Sequence, residues 1–382
     1  MNDKRIAAVI CEYNPFHRGH EYQLNEIKKS FGGVICVMSG DLVQRGDTAI
    51  AGKYERAKAA LMCGADLVLE LPAPWCCSSA ADFARAGVVI AAGAGADALA
   101  FGVESDAMLI LEVASLCKDE SFSARVAELS SSGGNVSYPA AFCTAVGEKL
   151  GAAAGEAMRK PNNILAVEYI KNLPGTVAPF PVPRAPGYLS SSEIRERGRD
   201  GFASLLPEGS AAVYEEVLKN GGLRDISRLD SFFAGYFRTL KDPEQLKGVY
   251  GMTPDLAAKL FRAGKERSAF ADICASCTDK KYTSARVRRA VIAAALGFKT
   301  ENVKADPAFT AVLAANATGR EILAAVRKNT ALKIITKPAH ALSADKTVRA
   351  QFTIGKTASD IAALASEKPG SAAVGETPFV LI

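Results

Sequence analysis

The sequence predicts an α/β protein in which a parallel sheet covered by helices is followed by a mainly helical second domain. Through the first 110 residues, short apolar runs alternate with segments of helical periodicity, which is the pattern of a parallel sheet with helical crossovers. Beyond about residue 205, helical periodicity dominates. A chain of 382 residues is about twice the length of a typical domain. We therefore expect one domain over 1–200 and a second over 201–382.

Short apolar runs mark the strands of the first domain. Strands are predicted at four of them: 5–11, 34–38, 66–71 and 98–101. Helices are predicted between these strands, from residue 19 onward, at 54–63 and at 79–92. Ligands of parallel sheets bind beyond the carboxyl ends of the strands. We therefore expect the loops that follow three of these strands to open onto one edge of the sheet: 12–20, 39–46 and 102–104.

Strand signals are sparse in the rest of the chain. Residues 105–160 are rich in alanine and serine and are predicted to be mostly helical, 177–183 is an extended segment interrupted by prolines, and a helix begins at residue 190. In the second domain, 285–296 is predicted to be helical, and 332–336 is a short β-like run.

Composition excludes several classes of protein. Hydrophobic residues make up 49% and charged residues 23% of the chain, which excludes a mostly disordered protein. The net charge of +5 is too small to indicate an anionic partner by itself. Nine cysteines in so long a chain do not resemble a secreted disulfide framework. The apolar runs at 6–11 and 88–96 are too short for a signal or membrane-spanning segment, so we expect a cytoplasmic protein without membrane contact.

The most distinctive motif, His17-Arg18-Gly19-His20, lies between the first predicted strand and the first predicted helix. Two of the three histidines of the chain stand here, three residues apart. Imidazoles at this spacing share one helical face, and the unpaired N–H groups of a helix start attract an anion. Gly19 permits a ligand to approach the backbone. The motif predicts a nucleoside triphosphate site that stabilises departing pyrophosphate. The alternative is an N-capping histidine pair that binds no ligand.

A second candidate phosphate site lies at 190–195. Ser190, Ser191 and Ser192 stand at a predicted helix start, with Arg195 within one turn. Serine hydroxyls cap helices and arginine binds phosphate through a forked geometry. A simple helix cap with a solvated Arg195 is the alternative.

Two further loops carry polar side chains at the predicted ligand edge. Arg45 follows a strand in the turn Gln44-Arg45-Gly46, where it either holds acetate or phosphate or has a structural role. Asn162 and Asn163 precede an apolar helix, where they contact a ligand or only cap the helix.

One segment of the second domain is strongly basic. Its cations surround one tyrosine and face a single acidic residue, Asp279; the candidate RNA-binding residues are Lys280, Lys281, Tyr282, Arg286, Arg288 and Arg289. Cations next to an aromatic ring suit RNA phosphates and an unstacked base. A solvated helix face is the alternative. In contrast, Cys274 and Cys277 have no second ligand pair, so no metal site is predicted.

The motif string is similar to that of a known family. His17-Arg18-Gly19-His20 resembles the HxGH motif of the nucleotidyltransferase superfamily, and the longer string EYNPFHRGHEYQL at 12–24 resembles the bacterial tRNA(Met) cytidine acetate ligase family. Further segments resemble that family in order: MSGDLVQRGDTAI (38–50), GADLVLELP (64–72), SAADFA (79–84), FGVES (101–105), RKPNNILAVEYIK (159–171), SSSEIR (190–195) and DKKYTSARVRRAVIAAALGF (279–298). The resemblance is strong to about residue 197 and patchy beyond it. It implies a Rossmann-like nucleotidyltransferase domain followed by a mainly helical tRNA-binding domain.

The resemblance also implies an activity and a set of site residues. ATP would activate acetate as acetyl-adenylate, and the acetyl group would pass to the wobble cytidine of elongator tRNA(Met). His17, His20 and Arg195 would be catalytic, with Mg²⁺ expected beside the phosphates. The residues that would line the ATP site are Ile10, Cys11, Glu12, Tyr13, Asn14, Pro15, Phe16, His17, Arg18, Gly19, His20, Glu21, Tyr22, Gln23, Gly102, Asn162 (or Asn163), Arg184 and Ser192.

Two other functions remain open from the sequence. A small-molecule adenylyltransferase would use the same HxGH and serine–arginine motifs, but such enzymes are often compact and lack a long basic second domain. A non-catalytic protein would bind ATP and tRNA without releasing pyrophosphate. The sequence does not predict the oligomeric state.

Overall fold

A computed structural model describes residues 5–131, 136–197, 201–326, 330–369 and 380–381 of the chain. Its strands are β1 Ile6–Cys11, β2 Gly33–Ser39, β3 Leu42–Val43, β4 Asp47–Thr48, β5 Leu67–Leu71, β6 Ala98–Val103, β7 Ala178–Pro183, β8 Phe309–Ala315, β9 Lys333–Ile335 and β10 Val380–Leu381.

In the first half of the chain, helices form most of the connections between strands. They are α1 Arg18–Lys28, α2 Lys53–Met62, α3 Ala80–Gly93, α4 Ala107–Leu116, α5 Glu120–Ser131, α6 Tyr138–Leu150, α7 Ala152–Ala157, α8 Pro161–Asn172 and α9 Ser191–Glu196. Those of the second half are α10 Glu208–Lys219, α11 Asp230–Thr239, α12 Pro254–Glu266, α13 Phe270–Cys277, α14 Ser284–Leu296, α15 Thr300–Lys304, α16 Ala317–Val326, α17 Pro338–Leu342 and α18 Lys346–Ala363.

The centre of the fold is a mostly parallel sheet. Within the described residues its strand order is β10-β8-β5-β2-β1-β6-β7, with β9 paired to β8. The five strands from β5 to β7 run parallel because helices cover both faces of the sheet and the connections cross over. The α/β class and the four strands predicted at 5–11, 34–38, 66–71 and 98–101 are confirmed.

The second half of the chain returns to this sheet. Strand β8 pairs antiparallel with β5, and β9 pairs parallel with β8. The run at 332–336 is confirmed as β9, but the sequence did not predict β8, whose alanine-rich letters FTAVLAA lack a clear period. The division near residue 200 stays a prediction, and the structure adds that β8 and β9 extend the sheet begun by the first half.

The strand ends and a helical cluster position the candidate site. β1, β2 and β6 lie side by side and end at one edge of the sheet, as the sequence predicts for their loops. Next to this edge, β3 and β4 form an antiparallel hairpin. The start of α14 packs against the hairpin turn, since Arg288 contacts Gly46 and Asp47. In the described part of the chain, no helix has both the length and the apolar character to cross a bilayer.

Candidate active site

A cleft of about 610 Å³ opens at the carboxyl edge of the sheet. Its walls come from the turn after β1, the β3–β4 hairpin, the end of β6, the start of α8 and the segment from β7 to α9. Both histidines of the HxGH motif line it. The rings are partly shielded by protein but face an open cleft, which is the arrangement that a phosphate site requires.

The two imidazoles are held by the start of helix α1. His17 is the N-cap residue of α1, and its Nδ1 accepts the Gly19 N–H at 3.1 Å. The Nδ1 of His20 accepts the His17 N–H at 3.3 Å, which completes a reciprocal cap. The rings stack with their centroids 3.7 Å apart. Gly19 is needed for this cap, because a Cβ there would lie 2.9 Å from the His17 ring.

Burial, nearby charges and these hydrogen bonds determine the protonation state of both imidazole rings. Burial, followed by the charge of Arg184, lowers the pKa of His17 to about 4. Burial and the charges of His17 and Arg184 lower the pKa of His20 well below its usual range. Both rings are therefore neutral near pH 7. Because each Nδ1 accepts a backbone hydrogen, each proton lies on Nε2, which is free to donate to a ligand.

A buried arginine fixes the turn that carries these histidines. Arg56 on α2 has no exposed surface. Its Nη1 donates to the carbonyl of Glu12 at 2.6 Å and its Nη2 to that of Ser39 at 3.0 Å, so one side chain joins the ends of β1 and β2. Its Nε donates to the Ala51 carbonyl at 3.1 Å. Arg56 positions the turn and was missed from sequence, since nothing in the helix KYERAKAALM distinguishes it from a solvated arginine.

A buried ion network lies beneath the hairpin. Asp41 accepts the Lys53 N–H at 3.0 Å and pairs with Arg224 at 2.5 Å. Burial alone would raise the pKa of Asp41, but Arg224, Lys53 and Arg56 outweigh it and lower the pKa to about 2. The sequence did not predict this network, because its partners come from distant parts of the chain.

Another part of the cleft wall is formed by the end of β6, the start of α8 and Arg184. A Cβ on Gly102 would meet only the Gln23 Nε2, at 3.9 Å, so packing within the protein does not require glycine there. Asn162 lines the cleft. Asn163 does not, because it is fully buried and its amide binds the Glu104 N–H at 2.8 Å and the Ala157 carbonyl at 2.9 Å. Of the two asparagines, Asn162 is therefore the one placed to meet a ligand.

The serine–arginine motif also lines the cleft. Arg195 donates through Nη1 to the Asn14 carbonyl and through Nη2 to the Ser192 Oγ at 3.2 Å. Arg45 of the hairpin donates to the same Oγ at 3.4 Å. Ser190 caps α9 through reciprocal hydrogen bonds with Glu193. The helix cap and the placement of the Arg195 charge at the cleft therefore occur together.

Comparisons with known proteins show the family of the chain. Residues 4–374 match the family model described as HIGH Nucleotidyl Transferase. The tRNA(Met) cytidine acetate ligase of Syntrophotalea carbinolica is 30% identical over 363 residues, which cover 87% of this chain and 84% of that protein. The chain belongs to the tRNA(Met) cytidine acetate ligase family. The family member of the same name from Acetivibrio thermocellus is 27% identical over 407 residues and covers 97% of this chain.

A solved structure of a family member has the same fold. The crystal structure of Thermotoga maritima TmcAL bound with alpha-thio ATP superposes with a TM-score of 0.90 at 25% identity, covering 99% of each chain. The family resemblance of the motifs is thereby confirmed, as is the nucleotidyltransferase class of the fold.

Most of the predicted ATP-site residues of this family member line one cleft. They are Ile10, Cys11, Glu12, Tyr13, Asn14, His17, Gly19, His20, Tyr22, Gln23, Gly102, Asn162, Arg184 and Ser192, and Arg195, which was predicted to be catalytic, lines the same cleft. Four predicted residues do not line it. Phe16 packs in the core beside Tyr13 and Pro15 is buried, whereas Arg18 is exposed and Glu21 is half-buried.

The predicted RNA-binding segment is divided by the structure. Lys280 and Lys281 are exposed. Tyr282 is fully buried, with its hydroxyl 2.7 Å from the Thr253 Oγ1, so its ring is not available to an unstacked base. The expectation that this ring stacks on RNA is corrected accordingly. The charges of Lys281, Lys259 and Arg286 instead lie about 5 Å from it in cation–π contact.

Two of the predicted RNA-binding arginines hold the hairpin of the cleft. Arg288 donates to the Gly46 carbonyl at 3.0 Å and pairs with Asp47 at 2.6 Å. Arg289 donates to the Gln44 carbonyl at 2.8 Å. Their guanidinium groups thus bind the hairpin of the same chain. A run of basic residues in the sequence does not indicate these contacts.

Proposed function

We propose that this protein is an ATP-dependent acetate ligase that forms acetyl-adenylate and transfers the acetyl group to the wobble cytidine of elongator tRNA(Met), giving N4-acetylcytidine. The observation that carries the proposal is the pair of neutral imidazoles that line the cleft with Nε2–H donors, in a member of a family whose named relatives are tRNA(Met) cytidine acetate ligases. Its place would be the cytoplasm, where tRNA and ATP are available.

ATP is proposed to lie along the cleft with its base near β6 and its phosphates at the HxGH turn. Gly102 leaves open space above its Cα, where a flat base or sugar can approach. Asn162 offers an amide to the nucleoside. Arg184 forms an ion pair with Glu104 at 3.6 Å, and its side chain is 41% exposed, so it would exchange this partner for a phosphate. Ile10 to Gln23 would supply the remaining lining of the nucleotide.

The first chemical step is in-line attack by a carboxylate oxygen of acetate on the α-phosphorus of ATP. A bond forms between that oxygen and phosphorus, and the bond to the bridging oxygen of the β-phosphate breaks, so pyrophosphate leaves with the electron pair. His17 and His20 donate Nε2–H bonds to the oxygens on which negative charge develops. No proton needs to be removed from the acetate anion, so the neutral state of both rings suits this role.

The second step forms the amide. The exocyclic amine of the cytidine attacks the acetyl carbon, AMP leaves with the electron pair of the broken carbon–oxygen bond, and the amine loses one proton to the departing phosphate or to water. The base must leave its stack to reach the cleft. The cations proposed to contact tRNA phosphates are Lys280, Lys281 and Arg286, while Arg288 and Arg289 support the hairpin.

Mg²⁺ is proposed as a companion of the triphosphate. In the described ranges no three His, Cys, Asp or Glu side chains are grouped to hold a metal ion. The ion would take most of its ligands from phosphate oxygens and water, as Mg²⁺ commonly does. When bound it would neutralise charge on the pyrophosphate.

Incubation of the protein with labelled acetate, ATP and tRNA tests the proposal. We expect labelled acetylcytidine, AMP and pyrophosphate. Label that stays with acetate would contradict the ligase function. Pyrophosphate together with a nucleotidylated small molecule would favour an adenylyltransferase, and binding of ATP and tRNA without pyrophosphate release would favour a non-catalytic binding protein.

A further inference from the structure

The second chemical step requires that one proton be moved. The exocyclic amine of cytidine shares its lone pair with the ring, so it is a weak nucleophile, and it gains positive charge as it attacks the acetyl carbon. A base that takes the proton during such an attack accelerates the step by about 10²–10⁴-fold. The cleft therefore needs a side chain whose lone pair is free to accept this proton.

The two imidazoles do not meet this requirement. The Nδ1 of His17 already accepts the Gly19 N–H at 3.1 Å, and the Nδ1 of His20 accepts the His17 N–H at 3.3 Å. Each neutral ring carries its single proton on Nε2, so neither ring has a nitrogen lone pair left for a second proton. The histidines are therefore donors to the phosphates, and the base must come from another part of the cleft.

Three carboxylates line the cleft, those of Glu12, Asp47 and Asp225. Asp47 pairs with Arg288 at 2.6 Å and accepts a backbone N–H at 2.9 Å, so both of its oxygens are engaged. Asp225 is exposed to solvent and caps a helical turn in the second half of the chain. Glu12 differs from both, because it is partly buried and its Oε2 accepts no hydrogen bond from the described residues.

The side chain of Glu12 is held in place at the edge of the sheet. Glu12 directly follows β1, and its backbone carbonyl accepts from the buried Arg56 at 2.6 Å. Its Oε1 accepts the Gln44 N–H of the hairpin at 2.7 Å. The residue is thus anchored at both ends, and Oε2 is left for a ligand. A fixed position of this kind is what proton transfer from a bound substrate requires.

The surroundings of the Glu12 carboxyl suit a base. Three arginines favour its ionised form: Arg45, Arg56 and Arg195. Burial outweighs these charges and raises the pKa of Glu12, and a raised pKa makes a carboxylate a stronger base than it is in water. Cys77 and Tyr169 also face Glu12, and both are neutral near pH 7 because burial raises the pKa of each.

We propose that Glu12 is a further catalytic residue, whose Oε2 takes the proton from the exocyclic amine of the cytidine in the second step. The carbon–nitrogen bond forms, the carbon–oxygen bond to AMP breaks, AMP leaves with the electron pair, and the proton passes from nitrogen to Glu12. Glu12 then gives this proton to the departing phosphate or to water and becomes a carboxylate again. The proposal rests on the acetyl transfer of the proposed function and adds to it the residue that moves the proton.

Glu12→Gln protein tests this role, because the amide oxygen can still accept the Gln44 N–H while the base is removed. Two rates are compared. The first is acetate-dependent exchange of pyrophosphate into ATP without tRNA, and the second is a single turnover of acetylcytidine formation, started by adding tRNA to excess enzyme preincubated with ATP and acetate. We expect the transfer rate to fall about 100-fold or more, and at least about tenfold further than the exchange rate.

Two further variants accompany this measurement. Glu12→Asp should recover part of the transfer rate, since it keeps a carboxylate at the same position. Glu112→Gln is the matched control: this glutamate is exposed on α4 and does not line the cleft, so its replacement should change neither rate.

Three results would overturn the role of Glu12. They are a transfer rate in Glu12→Gln close to that of the wild type, an equal fall in exchange and transfer, and a Glu12→Asp protein that transfers acetyl no faster than Glu12→Gln. The equal fall would place Glu12 in the binding of ATP or acetate instead. A wild type that makes no acetylcytidine would contradict the proposed function together with this role, whereas a fully active Glu12→Gln ligase would contradict the role of Glu12 alone.

Discussion

The HxGH turn and the basic segment at 280–289 are both compact groups of nitrogen-bearing side chains, yet they differ in where these side chains lie. His17 and His20 lie with their rings 3.7 Å apart on one cleft. In the basic segment, Lys280 and Lys281 are exposed and the Lys281 charge lies beside the Tyr282 ring, whereas Arg288 donates to the Gly46 carbonyl of the hairpin. The two histidines therefore face one cleft. The basic residues are divided between an exposed surface and contacts that support the hairpin.

The difference has a local cause. In the turn, each imidazole is bonded to the backbone of the same four residues, so the sequence spacing itself determines the geometry. In a helix such as α14, successive side chains point about 100° apart. Consecutive arginines therefore face different surroundings, and only the packing of the helix decides which of them remains free.

Replacement of His17 by Asn should have the largest effect. Asparagine is a good N-cap and keeps an acceptor for the helix start, but it removes the Nε2–H donor. We expect a loss of about 2–4 kcal/mol of transition-state stabilisation in ATP–pyrophosphate exchange with little change in melting temperature. His340→Asn, which changes an exposed histidine outside the cleft, is the control. A His17→Asn rate close to that of the wild type would contradict the role of the turn.

The pH dependence of stability should show that the imidazoles are held neutral. The pKa of His17 is lowered to about 4 by burial and by Arg184, while an unfolded histidine titrates near 6.5. Between these values the unfolded chain binds more protons, so the free energy of unfolding falls as pH decreases through this window. From pH 7 to 4.5 the wild type should lose about 2–3 kcal/mol more than His17→Asn in urea titrations.

The two proteins share their other titrating groups, including Glu12, whose pKa is raised by burial and which acts in the opposite direction. The difference between them therefore reports on His17 together with its effect on the pKa of its neighbour His20. Parallel losses of stability in the two proteins would mean that the His17 ring is not held neutral.

Arg288→Ala should impair catalysis more than RNA binding. The change removes the bond to the Gly46 carbonyl and the ion pair with Asp47, so the turn that carries Arg45 loses its support. We expect kcat/KM for ATP to fall about tenfold, with tRNA affinity within about twofold of the wild type. Weaker tRNA binding with unchanged ATP–pyrophosphate exchange would instead show that Arg288 contacts RNA. It would contradict the division of the basic segment into exposed lysines and arginines that support the hairpin.

The smallest effect is expected from Lys280→Ala combined with Lys281→Ala. These exposed lysines should contribute phosphate contacts, so filter binding should show several-fold weaker tRNA affinity at low salt and a salt slope lower by about 1–2. Acetate-dependent exchange without tRNA should be unchanged. An unchanged salt slope would exclude these two lysines from the RNA interface.

Local signals in the sequence predicted the sheet strands and the histidine turn, and contacts between distant residues explain what was missed. Asn162 and Asn163 are adjacent and identical, and only the packing of α8 against 104–105 shows that Asn163 is structural. Arg56 resembles a surface residue of α2 until β1 and β2 place their carbonyls around it. Strand β8 depends on an antiparallel partner that lies more than 200 residues earlier in the chain.

Acetate-dependent exchange of labelled pyrophosphate into ATP, measured without tRNA, tests most directly the claim that the histidine turn promotes displacement at the α-phosphorus. We expect exchange that requires acetate and is lost in His17→Asn. Exchange that is absent with acetate, or that persists at the full rate in the variant, would contradict it.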